Sequence, residues 1–237
     1  MTDAALRARI SAKLDLVFGR VAAACARAGR SPGEVEVMAV TKYASPLQIG
    51  ALVEDGRVSV LGESRVQQAE EKWRSPELEA ARPRVKLHFI GHLQSNKAGR
   101  AAMFFDAVDS IDGMAAASAL GRKAEEAGRT VFALIQVKLT GRETQSGVVL
   151  EEASRLAGEA SAVKGLRVRG YMAIAPQVAD PQELRPYFRR LKGLFDADFP
   201  QPPSGERNYL SLGMSGDFEV AVEEGSNLPR VGSAIFE

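Results

Sequence analysis

The chain has 237 residues, of which 45% are hydrophobic and 26% are charged, so it can bury one substantial core. Its 31 Lys+Arg nearly balance its 30 Asp+Glu, which argues against nucleic acid as the main partner. The one cysteine, Cys25, cannot close an internal disulfide. No apolar run approaches the roughly twenty residues that cross a bilayer. We therefore expect a cytoplasmic protein with no membrane partner.

Strand and helix patterns alternate along the sequence. The first thirty residues carry apolar residues at helical spacing, which predicts a leading helix. Further helices are predicted at 46–54, 64–73, 114–128, 150–163 and 181–197. Apolar, strand-like runs lie between them at 35–41, 58–61, 86–91, 107–110, 131–138, 166–173, 209–212 and 230–233.

The spacing of these runs favours one class of α/β fold. Eight strands in this chain leave about 30 residues for each unit, the size of a βαβ repeat. An open doubly wound sheet alternates in the same way, but eight units at this length favour a (β/α)₈ barrel. The proline-rich segment at 200–205 is short enough to be a loop. The prediction is a single TIM-type barrel domain over residues 1–237, with a leading N-terminal helix.

Two strand-to-helix turns near the carboxyl end carry small residues and hydroxyls. The first contains Ser215 and Gly216, and the second contains Gly232 and Ser233. Such barrels bind phosphate at the loops after strands seven and eight, where backbone N–H groups at a helix start lack partners. Ser215 alone would be read as a plain helix N-cap. A pair of such turns at the two expected loops favours a phosphate site.

Lys42 ends the first predicted strand and should enter the same mouth of the barrel. A lysine buried among strand ends loses hydration, which favours the unprotonated amine that condenses with an aldehyde. The alternative is a lysine whose stem lies on apolar surface while its ammonium reaches water. The apolar run before Lys42 makes its strand look buried. An amine beside a phosphate site indicates a phosphorylated aldehyde, pyridoxal phosphate (PLP).

Arg230 and the two histidines leave alternatives open. Arg230 could face the cofactor ring, where its permanent charge would keep a pyridine nitrogen unprotonated, or it could form a salt bridge with Glu223 or Glu224 at the rim. His88 and His92 lie in a strand and its turn, so their spacing of four does not bring them together. We predict a structural or pocket-edge role for them and no metal site.

Five segments in order resemble the pyridoxal phosphate homeostasis family, which has the fold of the alanine racemase N-terminal barrel. They are AVTKY at 39–43, LGESRVQQAEEK at 61–72, HFIGHLQSNKA at 88–98, RGYMAIAP at 169–176 and LSLGMSGDFEVAVEEGSNLPRVGSAIF at 210–236. The match extends along nearly the whole chain, and the last segment is the most specific.

The resemblance implies roles for individual residues. Lys42 becomes the lysine that holds PLP as an imine (a Schiff base), and Arg230 and Met172 lie near the ring. The phosphate cradle is formed by Ser215, Gly232 and Ser233, beside Gly216. No catalytic residue is implied.

Two positions depart from the family pattern. Family members often have asparagine where this chain has Ser64, and lysine where it has Gln145. An amide contact at the first position and a cation at the second are therefore in doubt. Neither departure touches Lys42 or the phosphate turns.

The resemblance implies a monomeric carrier that buffers PLP and delivers it to PLP-dependent apoenzymes. The alternative is a single-domain amino-acid racemase, which needs a second acid/base group on the opposite face of the ring. The related two-domain racemases take that tyrosine from another domain, and the four tyrosines here all belong to the predicted barrel, at positions 43, 171, 187 and 209. A barrel for an unrelated phosphorylated metabolite is the third possibility, and it predicts no chromophore.

Overall fold

The computed structural model describes residues 3–140, 146–200, 202 and 205–237. Gln145 lies outside these residues, as does part of the predicted loop at 200–205. In the described ranges eight strands form one sheet: β1 (Met38–Val40), β2 (Val60–Glu63), β3 (Lys86–Phe89), β4 (Ala107–Ile111), β5 (Val131–Lys138), β6 (Leu166–Ile174), β7 (Tyr209–Ser211) and β8 (Arg230–Val231).

Helices follow the strands. They are α1 (Asp3–Arg27), α2 (Pro46–Asp55), α3 (Val66–Lys72), α4 (Pro76–Ala81), α5 (Ala98–Phe104), α6 (Met114–Glu126), α7 (Leu150–Ser161), α8 (Arg185–Asp198), α9 (Phe218–Glu223) and α10 (Ser233–Phe236). Short 3₁₀ turns lie at Pro32–Glu34, Arg82–Arg84, Ser95–Lys97 and Pro181–Leu184. None of the described helices is both long enough and apolar enough to span a bilayer.

The strands pair in chain order, and all pairs are parallel. The order is β7-β6-β5-β4-β3-β2-β1-β8, so β1 lies between β2 and β8. Met38 on β1 is in register with Val60 on β2 and with Arg230 on β8. This arrangement confirms the predicted TIM-type barrel with its leading helix.

The seam between β7 and β8 is closed by backbone hydrogen bonds, such as the one from the Arg230 N–H to the Gly213 carbonyl oxygen, and by the side chains of Ser226 and Asn227. Ser226 Oγ accepts a hydrogen bond from the Leu212 N–H at 3.2 Å and lies 2.8 Å from the Leu212 carbonyl oxygen. Asn227 Oδ1 accepts from the Leu210 N–H at 2.8 Å. These side chains replace ladder hydrogen bonds that the short last strand does not make. The barrel is therefore nearly closed, with polar side chains completing the circle.

Two apolar layers hold the barrel. Inside it, five buried residues form a cluster that fills the centre: Met38, Val60, Leu134, Met172 and Leu228. Outside it, the helices pack a larger core onto the strands. The leading helix α1 presents a buried stripe at helical spacing that includes Leu6, Ile10 and Leu14, and it packs on α2, α9 and α10. It therefore takes the place of the eighth helix of the barrel.

Element boundaries differ from the prediction in β1 and β8. β1 begins at Met38 instead of residue 35, although the N–H groups of Glu36 and Met38 already bond the carbonyls of Asn227 and Pro229. β8 ends at Val231 because Ser233 already begins α10, which the sequence pattern did not predict. Both differences lie next to the seam.

Candidate functional site

A cavity of about 590 Å³ opens at the carboxyl ends of the strands. Its wall takes residues from the ends of β1, β6 and β8 and from the loops after β1, β2, β3, β7 and β8. The seven residues predicted to bind a cofactor all line it: Lys42, Met172, Ser215, Gly216, Arg230, Gly232 and Ser233. The structure thus brings together residues that are up to 191 positions apart (233 − 42). The role of these residues in cofactor binding remains a prediction.

The two hydroxyl-bearing turns are joined to each other. The Gly232 N–H donates a hydrogen bond to Ser215 Oγ at 3.3 Å, across 17 positions of sequence. Helix α9 begins after Asp217, and Ser215 makes no cap hydrogen bond to it. The reading of Ser215 as a plain N-cap is therefore wrong. Its hydroxyl is fixed at the cavity, and among the described residues its own hydrogen has no acceptor, so it can be donated to a ligand.

Two glycines shape the first turn. Gly213 has φ 86°, and a Cβ on it would lie 2.7 Å from the Phe218 Cα, so both backbone conformation and space require glycine. A Cβ on Gly216 would meet no atom within 4 Å, because it would stand in open space at the cavity. Asp217 fixes the turn by accepting the Met214 N–H, and burial raises the pKa of this carboxyl.

Arg230 is a buried cation in the cavity wall. Its side chain is 4% exposed. Nη1 donates to the carbonyl oxygen of Ser211 at 2.8 Å and to Ser211 Oγ at 2.9 Å, while Nη2 donates to the carbonyl oxygen of Ala173 at 2.9 Å. Burial lowers the pKa of the Arg230 guanidinium to about 10, with Asp109 and Asp217 opposing the shift, so the group keeps its charge at neutral pH.

The alternative of a rim salt bridge for Arg230 is wrong. Glu223 pairs with Arg27 and Arg185, and Glu224 pairs with Arg185 and Arg189. Arg230 instead donates hydrogen bonds to neutral oxygens of β6 and β7. Among the described residues no carboxylate accepts a hydrogen bond from Arg230, so its positive charge can interact with a ligand that reaches the cavity.

Lys42 lies in the turn after β1 and is exposed. The burial that its apolar strand predicted is therefore wrong, because β1 ends at Val40 and the chain turns outward at the mouth. Lys42 still lines the cavity, and its Nζ lies 4.9 Å from the centre of the Tyr43 ring. Tyr43, a cavity residue that the sequence analysis did not single out, is 83% exposed.

A buried ion pair holds the backbone just before Lys42. Glu63 Oε1 accepts from Thr41 Oγ1 at 2.8 Å and lies 2.7 Å from Lys72 Nζ, which also donates to the Thr41 carbonyl oxygen at 2.6 Å. Sequence reasoning missed this network. The signal was a carboxylate at the end of the buried run Val60–Glu63, because such a charge needs a cation nearby.

Met172 and Ser64 line the same cavity, whereas the two histidines pair with carboxylates. Met172 on β6 is 1% exposed and belongs to both the central cluster and the cavity wall. Ser64, one of the two departures, also lines the cavity. His88 lies 3.0 Å from Asp109, and His92 lies 3.2 Å from Asp112. Each histidine has its own carboxylate partner, and His88 is at the edge of a second cavity.

Fold and cavity together define a class: parallel barrels that gather their binding groups at the carboxyl ends of the strands. The family model of the alanine racemase N-terminal domain matches residues 20–237. A pyridoxal phosphate homeostasis protein of Aquifex aeolicus is 32% identical over 225 residues, covering 94% of this chain and 96% of that one. The chain therefore belongs to the alanine racemase N-terminal domain family and, within it, to the pyridoxal phosphate homeostasis proteins.

Solved structures agree with this assignment. A protein of Bifidobacterium adolescentis, described as unknown, superposes with a TM-score of 0.86 at 33% identity and covers 100% of this chain and 98% of its own. PipY of Synechococcus elongatus, solved with PLP bound, superposes with a TM-score of 0.77 at 32% identity, covering 93% of this chain and 100% of that one. The bound cofactor is a finding about PipY.

Proposed function

We propose that this protein binds pyridoxal 5'-phosphate in the cavity at the carboxyl ends of the strands and holds it as an imine of Lys42. It acts in intracellular vitamin B6 homeostasis, where it buffers the cofactor and delivers it to PLP-dependent apoenzymes. The observation that carries the proposal is the gathering of one amine, two linked hydroxyl turns and one buried guanidinium around a single cavity. The names of the relatives and the PLP bound to PipY support it.

The two turns supply the phosphate end of the site. Ser215 is half-buried, and Ser233 is exposed at the start of α10. The Gly232 N–H already bonds Ser215 Oγ, so that hydroxyl keeps its hydrogen for a phosphate oxygen. Gly216 leaves the space beside the turn open. Charge-assisted hydrogen bonds from these groups would fix the phosphate and thereby the direction of the ring.

Lys42 supplies the covalent end. Its amine nitrogen would add to the aldehyde carbon of the cofactor, and one water would leave, so that a C=N bond replaces the C=O bond. The reaction is reversible, so addition of water to the imine returns the free aldehyde and the free Lys42 amine. Because Lys42 is exposed at the mouth, an acceptor amine from another protein can reach the same carbon. That accessibility suits release and delivery.

Arg230 favours storage over catalysis. The permanently charged guanidinium beside a pyridine nitrogen keeps that nitrogen unprotonated. An unprotonated ring is a weaker electron sink than one protonated through a carboxylate partner. Asp109 and Asp217 affect Arg230 only through space, and its hydrogen bonds go to Ser211 and Ala173. The charge at this position is therefore fixed by the barrel itself.

The racemase alternative is less well supported. Tyr43 lines the cavity, but at 83% exposure its ring is not held in one position, whereas an acid/base group must be held within about 0.5 Å of its working geometry. The alignment with the Aquifex relative covers 94% of this chain and 96% of that protein. A protein of about the same length, with no room for a second domain, is therefore named a homeostasis protein and not a racemase.

Visible absorbance after addition of PLP tests the proposal. We expect the wild-type protein and a Lys164→Ala variant to develop an imine band, because the Lys164 side chain is 83% exposed and lies outside the cavity. Lys42→Ala should lose the band while keeping the far-ultraviolet circular dichroism of the folded barrel. A band that persists in Lys42→Ala, or no band in the wild type, would contradict the proposed imine. The cavity would then be interpreted as a site for another phosphorylated ligand.

Carrier and racemase are separated by incubating the loaded protein with L-alanine in deuterated water. A carrier leaves the α-proton in place, and a racemase exchanges it for deuterium while forming D-alanine. Proton NMR of the recovered alanine measures both. Appearance of α-deuterated D-alanine would contradict the carrier function and support the racemase.

A further inference from the structure

A second cavity, of about 300 Å³, opens toward the opposite end of the barrel. Its wall is built from the residue stretch before β1, the early residues of β3 to β7, and the loop before β7. It shares no lining residue with the first cavity. The central apolar cluster separates them, since Leu134 of that cluster lines the second cavity and Met172 lines the first. The two spaces are therefore distinct sites.

A buried histidine with a free ring nitrogen lies in the wall of this cavity. His88 is 4% exposed and Asp109 is 0% exposed. His88 Nδ1 lies 3.0 Å and 3.1 Å from the two carboxylate oxygens, so Nδ1 carries the proton. Nε2 makes no hydrogen bond within the described ranges of the chain. Because His88 lines the cavity, this nitrogen is available to a ligand that enters it.

Glu36 adds a second acceptor. The Tyr209 hydroxyl donates to Glu36 Oε2 at 3.0 Å, and the Ser59 hydroxyl donates to Oε1 at 3.1 Å. Burial and the neighbouring carboxylate raise the pKa of Tyr209, so its hydroxyl remains a donor and keeps Glu36 in place. The ring of Tyr209 also meets His88 edge-on, with the centroids 6.4 Å apart. Tyr209 thus contacts both Glu36 and His88.

Three cations line the same small space: Lys86, Arg169 and Arg207. Lys86 is exposed and has no ion-pair partner among the residues that the structure describes. The Arg169 side chain is 12% exposed and pairs with Glu206. The apolar part of the wall comes from Phe132, Ala133 and Leu134. Acceptors, cations and an apolar surface therefore lie around a volume at the lower end of the range for small-molecule pockets.

We propose that this second cavity binds a small amino acid with an apolar side chain. Its carboxylate would contact Lys86 and Arg169, its ammonium would contact Glu36 and the Nε2 atom of His88, and its side chain would lie on Leu134. A ligand with only one of the two charges would contact only the cations or only the acceptors of this wall, and it would lose the charge-assisted hydrogen bonds to the other group. The site is independent of PLP binding.

Titration of the PLP-free protein with L-valine tests this site by calorimetry. Isovalerate, which lacks the ammonium, and isobutylamine, which lacks the carboxylate, are the half-ligand probes. We expect saturable binding of L-valine and binding at least about tenfold weaker for each half-ligand, because a hydrogen bond to a charged group is lost. Lys86→Ala should weaken L-valine by about tenfold as well.

Lys164→Ala is the matched control, since its ammonium precedes β6 on the same end of the barrel but lies outside the cavity wall. Its affinity for L-valine should equal that of the wild type. His88→Asn, whose shorter amide can still donate to Asp109 but has no atom at the position of Nε2, should also weaken binding while the circular dichroism stays that of the folded barrel. Absence of saturable L-valine binding, equal effects of the two lysine variants, or isovalerate binding as tightly as L-valine would overturn the proposal.

Discussion

Single side chains in the first cavity differ in how firmly they are held. The Gly232 N–H bonds Ser215, three N–H groups fix Arg230 against barrel oxygens, and Lys42 stands exposed at the mouth. In the proposed function, a site that must bind a cofactor firmly and give it up again needs this combination. The turns proposed to hold the phosphate are preorganised, and the lysine proposed to form the imine remains open to an acceptor.

Replacing both cavity serines should weaken PLP binding without unfolding the barrel. Ser215→Ala and Ser233→Ala each remove one charge-assisted hydrogen bond to phosphate, which is about tenfold in affinity, so the double variant should lose about a hundredfold if the two are additive. Equilibrium titration followed by absorbance measures the change. Ser118→Ala, at an exposed position of α6, is the control. Unchanged affinity in the double variant would remove both hydroxyls from the phosphate site.

At the level of elements, β7 and β8 are the two end strands of the sheet, and no ladder joins them within the described residues. β8 has only two residues, and the neighbouring segment relies on Ser226 and Asn227 to bond the backbone of β7. The same seam carries Arg230 and the two phosphate turns. The stability of the seam and the geometry of the first cavity are therefore coupled through a few residues.

Ser226→Ala should destabilise the barrel measurably. The substitution leaves the buried Leu212 N–H without its acceptor, which costs about 1–3 kcal/mol of the free energy of unfolding. Urea denaturation monitored by circular dichroism measures it, and Ser118→Ala should change the same quantity by less than about 0.5 kcal/mol. Equal unfolding free energies for the two variants would show that the seam does not depend on this hydroxyl.

At the scale of the whole molecule, the sequence predicted the order of the strands and the mouth that carries the site. Apolar runs separated by helices are local signals, and in a barrel of eight units they determine which strand ends share an edge. Lys42, Ser215 and Ser233 could therefore be assigned to one cavity from the sequence alone. The class of fold followed from the same repeat.

What the sequence could not predict depends on contacts between distant segments. The exposure of Lys42 follows from where β1 ends, since the strand stops at Val40 and Lys42 lies in the turn after it. The sequence did not predict the second cavity, because His88 and Asp109 are polar residues in two separate strand-like runs, 21 positions apart. They meet because β3 and β4 pair with His88 in register with Ala107, two residues before Asp109. Register of that kind has no local signal.

Borohydride reduction of the PLP-loaded protein, followed by peptide mass mapping, tests the central claim most directly. Reduction converts the C=N bond into a stable amine, so the modified lysine is recorded in the peptide that carries it. The account predicts one pyridoxyl adduct per chain, located on Lys42 and abolished in Lys42→Ala. An adduct on another lysine, or adducts spread over exposed lysines such as Lys164, would contradict it.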